Sequence, residues 1–280
     1  MLSYQHGYHA GNYADVVKHL TLTRLLHYLL TKEKPLFYLE THSGRGLYDL
    51  KAGQSTKTHE YQQGISLLWG KKEKLDPLFS LYLQAIEQCN QDAGLRFYPG
   101  SPAIALHMLR ELDRLFCCEL HPREFEHLSQ LHRRGKRVFF SENDGITQLN
   151  ALLPPEERRG LIFIDPSFEI KNEYKTIPQA IMEAHRRFST GVYCLWYPIV
   201  DKQYHEQLLR GMRRIEAKSA LRIEFNLNAR QAGMGGCGLW IINPPFVLAE
   251  EMKKILDTLR TLFHPESASF IIETLPASRK

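Results

Sequence analysis

The chain predicts an α/β fold, with a Rossmann-like, mostly parallel sheet of about seven strands and helices between them. Three observations predict it. Short apolar runs recur along the chain and alternate with helix-period segments. The first four runs each lead into an acid and a turn, at Glu40, Glu119, the 142–144 segment and Asp165. One run, 161–164, is unbroken, as in a strand buried on both faces of a parallel sheet. In open sheets of this kind, ligands bind beyond the carboxyl ends of the strands.

Residues 1–14 hold Tyr4, His6, Tyr8, His9 and Tyr13 among glycines. Such rings can stack on bases and contact phosphates, and a tail packed by its own tyrosines is the alternative. His6, His9 and His19 have no acidic or cysteine partner at ligand spacing, so no metal site is expected. A helix follows. Asn12 and Asp15 resemble a capping box, and Val16, Val17, Leu20, Leu25, Leu26 and Leu29 mark an apolar face. Lys18 and His19 fall on its first turns, where a solvated face is the alternative. Pro35 lies just past its end.

The run 36–40 then enters Thr41-His42-Ser43-Gly44-Arg45-Gly46, a glycine turn of the nucleotide-cradle kind without the GxGxxG spacing. Residues 48–98 interrupt the strand–helix rhythm. Helical patterns over 61–69 and 78–89 predict a small helical insertion there. Ser101 with Pro102 predicts a capped start for the delayed helix over 103–112. The second strand, 115–119, brings Glu119 to where an acid binds both ribose hydroxyls. The third, 138–140, leads to Asp144-Gly145, suited to an adenine edge. After 161–168, the pattern gives a helix over 179–188, a strand over 193–198 and final strands at 221–227 and 239–243. The glycine-rich stretch 232–238 reads as a mobile loop, and the residues after Phe246 suffice for one helix and a tail. Arg186, Arg187, Arg210, Arg213 and Arg214 flank the fifth strand, as a phosphate-facing patch or as solvated helix faces.

Composition narrows the class. At 280 residues with 43% hydrophobic and 24% charged side chains, the chain suits one large globular domain. Its net charge of +5 is compatible with a nucleic-acid partner without requiring one. The five cysteines are odd in number and form no CxxC, so buried thiols in a reducing cytoplasm are expected rather than disulfides or zinc. No segment approaches the roughly 18 apolar residues of a membrane span, and the start lacks a signal-peptide pattern.

The chemistry concentrates at Asp165-Pro166-Ser167-Phe168. A proline must end the strand, which leaves a carboxylate, a carbonyl and a ring at the ligand edge. These groups suit methylation of an exocyclic amino group. Asp165 and the Pro166 carbonyl can accept its two N–H bonds, and the carboxylate stabilises the positive charge growing on nitrogen. Phe168 offers a face for a flipped-out base. The bland alternative is an Asp-Pro turn ending a strand. A second tetrapeptide, Asn243-Pro244-Pro245-Phe246, matches the amino-methyltransferase signature literally. The earlier one is preferred because it directly follows the ribose and adenine loops.

Together, 4–19 (YQHGYHAGNYADVVKH), the THSGRG turn, Tyr98–Pro102, Glu119-Leu120-His121-Pro122, Asp144-Gly145 and the Asp165 strand resemble the bacterial 23S ribosomal RNA adenine-N6 methyltransferases of the large-subunit methyltransferase J type. The resemblance runs over essentially the whole chain. It implies a class I S-adenosylmethionine-dependent methyltransferase fold with a helical insertion. It implies S-adenosylmethionine contacts from His19, His42, Ser101, Glu119, Asp144, Gly145 and Asp165, with Gly44 in the cradle and Lys18 near the methionine carboxylate. Asp165 would accept the proton, with Pro166 and Phe168 beside it, and Tyr4, assisted by His6, would touch the RNA. The partner implied is 23S ribosomal RNA, naked or in an assembly intermediate, with the enzyme a cytoplasmic monomer. The family usually carries Asp-Pro-Pro-Tyr at the catalytic loop. Here Ser167 frees one backbone dihedral and Phe168 lacks a hydroxyl. Two other readings stay open: the same chemistry on DNA adenine, and an RNA-binding protein on a decayed methyltransferase fold.

Overall fold

The computed structural model describes residues 6–90, 94–131, 137–227, 234–264 and 266–276. In chain order, helix α1 (Tyr13–Leu30) precedes strand β1 (Phe37–Glu40) and a short pair, β2 (Leu47–Asp49) and β3 (Phe97–Pro99). Between that pair lie α2 (Ser55–Thr58), α3 (Ile65–Trp69) and α4 (Ser80–Cys89), with single 3-10 turns. Then come α5 (Ser101–Met108), β4 (Arg114–Cys118), α6 (Pro122–Ser129), β5 (Val138–Ser141), α7 (Gly145–Leu152) and β6 (Gly160–Ile164). The last part contains α8 (Glu173–Arg187), β7 (Val192–Ile199), α9 (Lys202–Arg213), β8 (Ser219–Asn226), β9 (Gly236–Ile242), α10 (Leu248–Phe263) and β10 (Ser269–Pro276).

The main sheet has eight strands in the order β10-β8-β9-β7-β6-β1-β4-β5. Strands β5, β4, β1, β6 and β7 run parallel, and β9, β8 and β10 add antiparallel pairings. The apolar runs have the expected cause. Every residue of β1 and β6 is buried, because helices cover both faces of the central strands.

Several expectations are corrected. The tail after α10 forms an edge strand that pairs with β8 from Ser269 to Pro276. Its alternation is weak because it is only half-covered. The residues from Gly236 on, read as loop, belong to β9, where Tyr197 lies opposite Gly238 in register and its ring takes the space a side chain would need. Helix α1 is buried on every face from Ala14 to Leu26, not along one stripe. Lys18 and His19 are therefore interior groups, and the solvated-face alternative falls. The Asn12 side chain caps α1 through the Asp15 N–H at 3.0 Å, but the Asp15 carboxylate is used elsewhere.

Candidate active site

Because β6, β1, β4 and β5 are parallel neighbours, their carboxyl ends set Asp165, the Thr41–Gly46 turn, Glu119 and Asp144 side by side along one edge. A cavity of about 920 Å³ opens there. Its walls bring together Lys18, His19, His42, Gly44, Ser101, Glu119, Asp144, Gly145, Asp165, Pro166 and Phe168, along with His6. Tyr4 lies outside the described residues. Exposed Leu120, Ile170 and Val200 border the opening.

A buried charge chain forms the floor. The Lys18 ammonium donates to Asp165 Oδ2 at 2.6 Å and meets Asp15 Oδ1 at 2.9 Å. Asp15 Oδ2 also accepts the Gly11 N–H and pairs with His6 Nε2, both at 2.9 Å. Burial opposes the charge on Lys18, but the Asp15 and Asp165 carboxylates outweigh it and hold the ammonium above the usual lysine range. Burial likewise works against Asp15, yet His6 and Lys18 keep its carboxyl well below the usual range. Lys18 also sits 5.3 Å from the centre of the Trp196 ring, which lines the same cavity. Sequence reasoning assigned Asp15 only to a cap and overlooked Trp196. The three-residue spacing of Asp15 and Lys18, one helical turn apart, was the available signal.

Each remaining group has a local cause. His19 Nδ1 meets the Tyr98 hydroxyl at 2.8 Å, and Tyr98 in turn meets Tyr82, which ties α1 to the α4–β3 segment. Burial pushes His19 down to about 3 and His42 to about 4, so both imidazoles are neutral. The Ser101 hydroxyl does not cap α5, whose cap is Gly100; it donates to Glu40 at the end of β1. Glu40 also accepts from Tyr38, and burial pushes it up to about 8. Glu119 accepts the Gly44 N–H at 2.7 Å and the His121 N–H at 2.8 Å, so it fastens the glycine turn to β4. Burial raises it against those two bonds. Asp144 caps α7 by accepting from Ile146 N–H. Gly145 is required because a Cβ there would lie 2.0 Å from the Thr41 carbonyl oxygen. Phe168 has a left-handed φ of 54° and is 6% exposed, with its ring 4.5 Å from that of Tyr174. A non-glycine residue in that region carries strain, which Phe168 shares with His59, Arg158 and Asn243.

The literal Asn-Pro-Pro-Phe signature lies elsewhere. Strand β9 runs antiparallel to β7, with Ile242 opposite Tyr193 at the start of that strand. Asn243 therefore emerges at the sheet edge opposite Asp165, where its amide donates to the Ser189 and Gly191 carbonyls at 2.9 and 2.8 Å. The three histidines considered for metal also part company: His6 pairs with Asp15, His9 with Glu60 and His19 with Tyr98. Of the five flanking arginines, Arg187 donates to Leu149 and Asn150, and Arg213 faces Glu273.

An open sheet in this order, with acids gathered at the carboxyl ends of its central parallel strands, is the fold of a class I methyltransferase. The sequence pattern of the family described as Ribosomal RNA large subunit methyltransferase D, RlmJ, matches residues 33–274. The chain belongs to that family. It is 41% identical over 277 residues to Ribosomal RNA large subunit methyltransferase J of Haemophilus influenzae, covering 98% of each chain. To the protein of the same name from Escherichia coli it is 38% identical over 267 residues, covering 95% of each. A crystal structure of a Legionella pneumophila protein, 55% identical, superposes with a TM-score of 0.92 over 97% of this chain and 99% of that one.

Proposed function

We propose that this chain transfers a methyl group from S-adenosylmethionine to the N6 amino group of an adenine in 23S ribosomal RNA. The observation that carries the reading is Asp165: a carboxylate ending a buried parallel strand, followed by a proline carbonyl and fixed from behind by Lys18. The relatives' names supply the ribosomal RNA.

The cavity's polar groups suit this cofactor. Ser43 Oγ and His121 Nδ1 on its wall are buried without a hydrogen-bond partner among the described residues, and Glu119 keeps lone pairs free for ribose hydroxyls. Asp144 and Gly145 then meet the adenine moiety, and Lys18, His19, His42, Gly44 and Ser101 surround the methionine end. When bound, the cofactor supplies an electrophilic methyl carbon on a positively charged sulfonium. The neutral imidazoles of His19 and His42 add no positive charge beside it.

For the target base, the free Asp165 oxygen and the Pro166 carbonyl accept the two N–H bonds and turn the nitrogen lone pair toward the methyl group. Lys18 holds the carboxylate in place, so it is positioned for the positive charge of the transition state. Asp165 takes the proton that leaves the nitrogen. Phe168, backed by Tyr174, and Trp196 border the space for the flipped adenine. Tyr4 and His6 at the start of the chain engage the RNA. Ribosomal RNA as substrate makes the enzyme cytoplasmic, in keeping with its free cysteines.

The test is transfer from labelled S-adenosylmethionine to unmodified 23S ribosomal RNA, with duplex DNA in parallel. N6-methyladenosine recovered from the RNA supports the reading. Label in a different nucleoside, in the DNA alone or in neither substrate overturns it.

A further inference from the structure

Helices α8 and α9 pack closely where Gly211 meets Pro178: a Cβ on Gly211 would lie 2.8 Å from the Pro178 Cβ. Beside this crossing lies a second concavity of about 250 Å³. Tyr174, Pro178 and Met182 form its floor, and Lys175, Arg210 and Arg214 stand exposed at its rim. No acidic side chain lines it among the described residues. Of the five flanking arginines, Arg187 and Arg213 point elsewhere, as described above, Arg186 lies against the Met182 sulfur, and Arg210 and Arg214 line this groove.

The groove adjoins the active-site cavity. Tyr174 lines both. Its ring packs on Phe168 of the catalytic loop at 4.5 Å and on Tyr204 of α9 at 5.3 Å. Lys171 stands 5.5 Å above the Tyr204 ring and extends the cationic strip back toward the exposed Ile170 at the cavity mouth. A strand whose base enters beside Phe168 must leave the mouth in some direction. On this side it passes Glu173 on the cavity wall and then meets Lys175, Arg210 and Arg214 over an apolar floor, the combination that suits a polyanion carrying flat bases.

We infer that the α8–α9 groove is a docking surface for the phosphodiester backbone of the substrate RNA, next to the target nucleotide. The inference rests on the proposed RNA substrate and adds where the strand runs. Lys175, Arg210 and Arg214 neutralise phosphates, and they bind without reading sequence.

The experiment compares wild-type protein with Arg210→Gln/Arg214→Gln, using Lys32→Gln/Lys34→Gln as a control. Lys32 and Lys34 are exposed ahead of β1, at the sheet edge away from the cavity. Binding to an unmodified 23S RNA fragment is followed by anisotropy across a salt series, together with KM and kcat for methyl transfer, cofactor affinity and Tm. The groove variant is expected to bind RNA at least tenfold more weakly. Its slope of log affinity against log salt should be smaller by about 2, one for each lost phosphate contact. KM for RNA should rise while kcat, cofactor affinity and Tm hold, and the control should match wild type. Wild-type RNA affinity and salt slope in the groove variant overturn the inference while leaving the proposed activity standing. A defect seen on ribosomal particles but not on naked RNA also overturns it, because it points to a protein partner. A wild-type enzyme that neither binds nor methylates RNA fails the proposed function and takes this inference with it.

Discussion

Replacing Lys18 with methionine removes a charge and little volume. The ammonium, 4% exposed as a side chain, lies 2.9 Å from Asp15 and 2.6 Å from Asp165, which are 2% and 14% exposed. Removing one member of a buried pair typically costs roughly 3–5 kcal/mol, because the remaining charge stays buried without compensation. Asp15 keeps His6 and the Gly11 N–H, and Asp165 reaches solvent, so the lower end applies: about 3 kcal/mol, or somewhat over a hundredfold in the unfolding equilibrium. The pH dependence has a definite sign. In the native protein Asp15 titrates below its unfolded value of about 3.9, so its contribution is complete above that pH and lost only in strong acid. Lys18 titrates above its unfolded value of about 10.4, so its contribution is complete below that pH. Without Lys18, burial is less opposed and drives the Asp15 carboxyl upward. Protonation then relieves the variant, and its deficit should be largest near pH 8 and shrink toward pH 5. Urea unfolding at both pH values, with Lys18→Arg as the charge-keeping control, measures this. A loss under about 1 kcal/mol at pH 8, or a deficit that grows on acidification, refutes the view that the ammonium neutralises buried carboxylates.

Three further outcomes follow from the same geometry. Asp165→Ala should cut methyl transfer at least about a hundredfold in single-turnover assays while leaving cofactor affinity nearly intact. It should destabilise less than Lys18→Met, since Lys18 retains Asp15. Glu119→Ala should weaken cofactor binding by about 1.5–3 kcal/mol in calorimetry, and it should also loosen the glycine turn, because the Gly44 and His121 amides lose their acceptor. Unchanged affinity would remove Glu119 from the ribose site. Asn243→Gly tolerates the positive φ of 53° but drops two hydrogen bonds, so Tm should fall while the rate of transfer stays at wild type. A large loss of transfer below the melting range would return the catalytic role to the second signature.

The parallel core was legible because its strands are buried on both faces, which writes itself into sequence as unbroken apolar runs. The acids ending those runs were legible for a related reason, since a charge after such a run must lie at a sheet edge. Position relative to the sheet also supports Asp165 over Asn243 for the proposed role, although the two tetrapeptides invite the opposite choice. What stayed hidden was context that adjacency in sequence does not carry. Lys18 looks like any lysine on an early helical turn until Asp165, 147 residues later, is folded against it. Ser101 has the form of a helix cap, yet the buried Glu40 competes for its hydroxyl and wins. Strand β10 was missed because none of its residues is fully buried, so it writes no unbroken apolar run into the sequence.

Helix α1 has a consequence for the making of the protein. It leaves the ribosome well before the residues it packs against. Tyr13 donates to the Met234 carbonyl, Thr21 contacts Met252, and Arg24 makes a two-bond pair with Glu251. With sequence separations of 221 to 231 residues, these contacts cannot form until that much more of the chain has been translated. An apolar helix with interior charges must wait in the meantime, which makes it a natural segment for a chaperone to hold. The same helix carries Lys18, so Asp165 gains its counter-ion in place only once α1 has docked against those later segments.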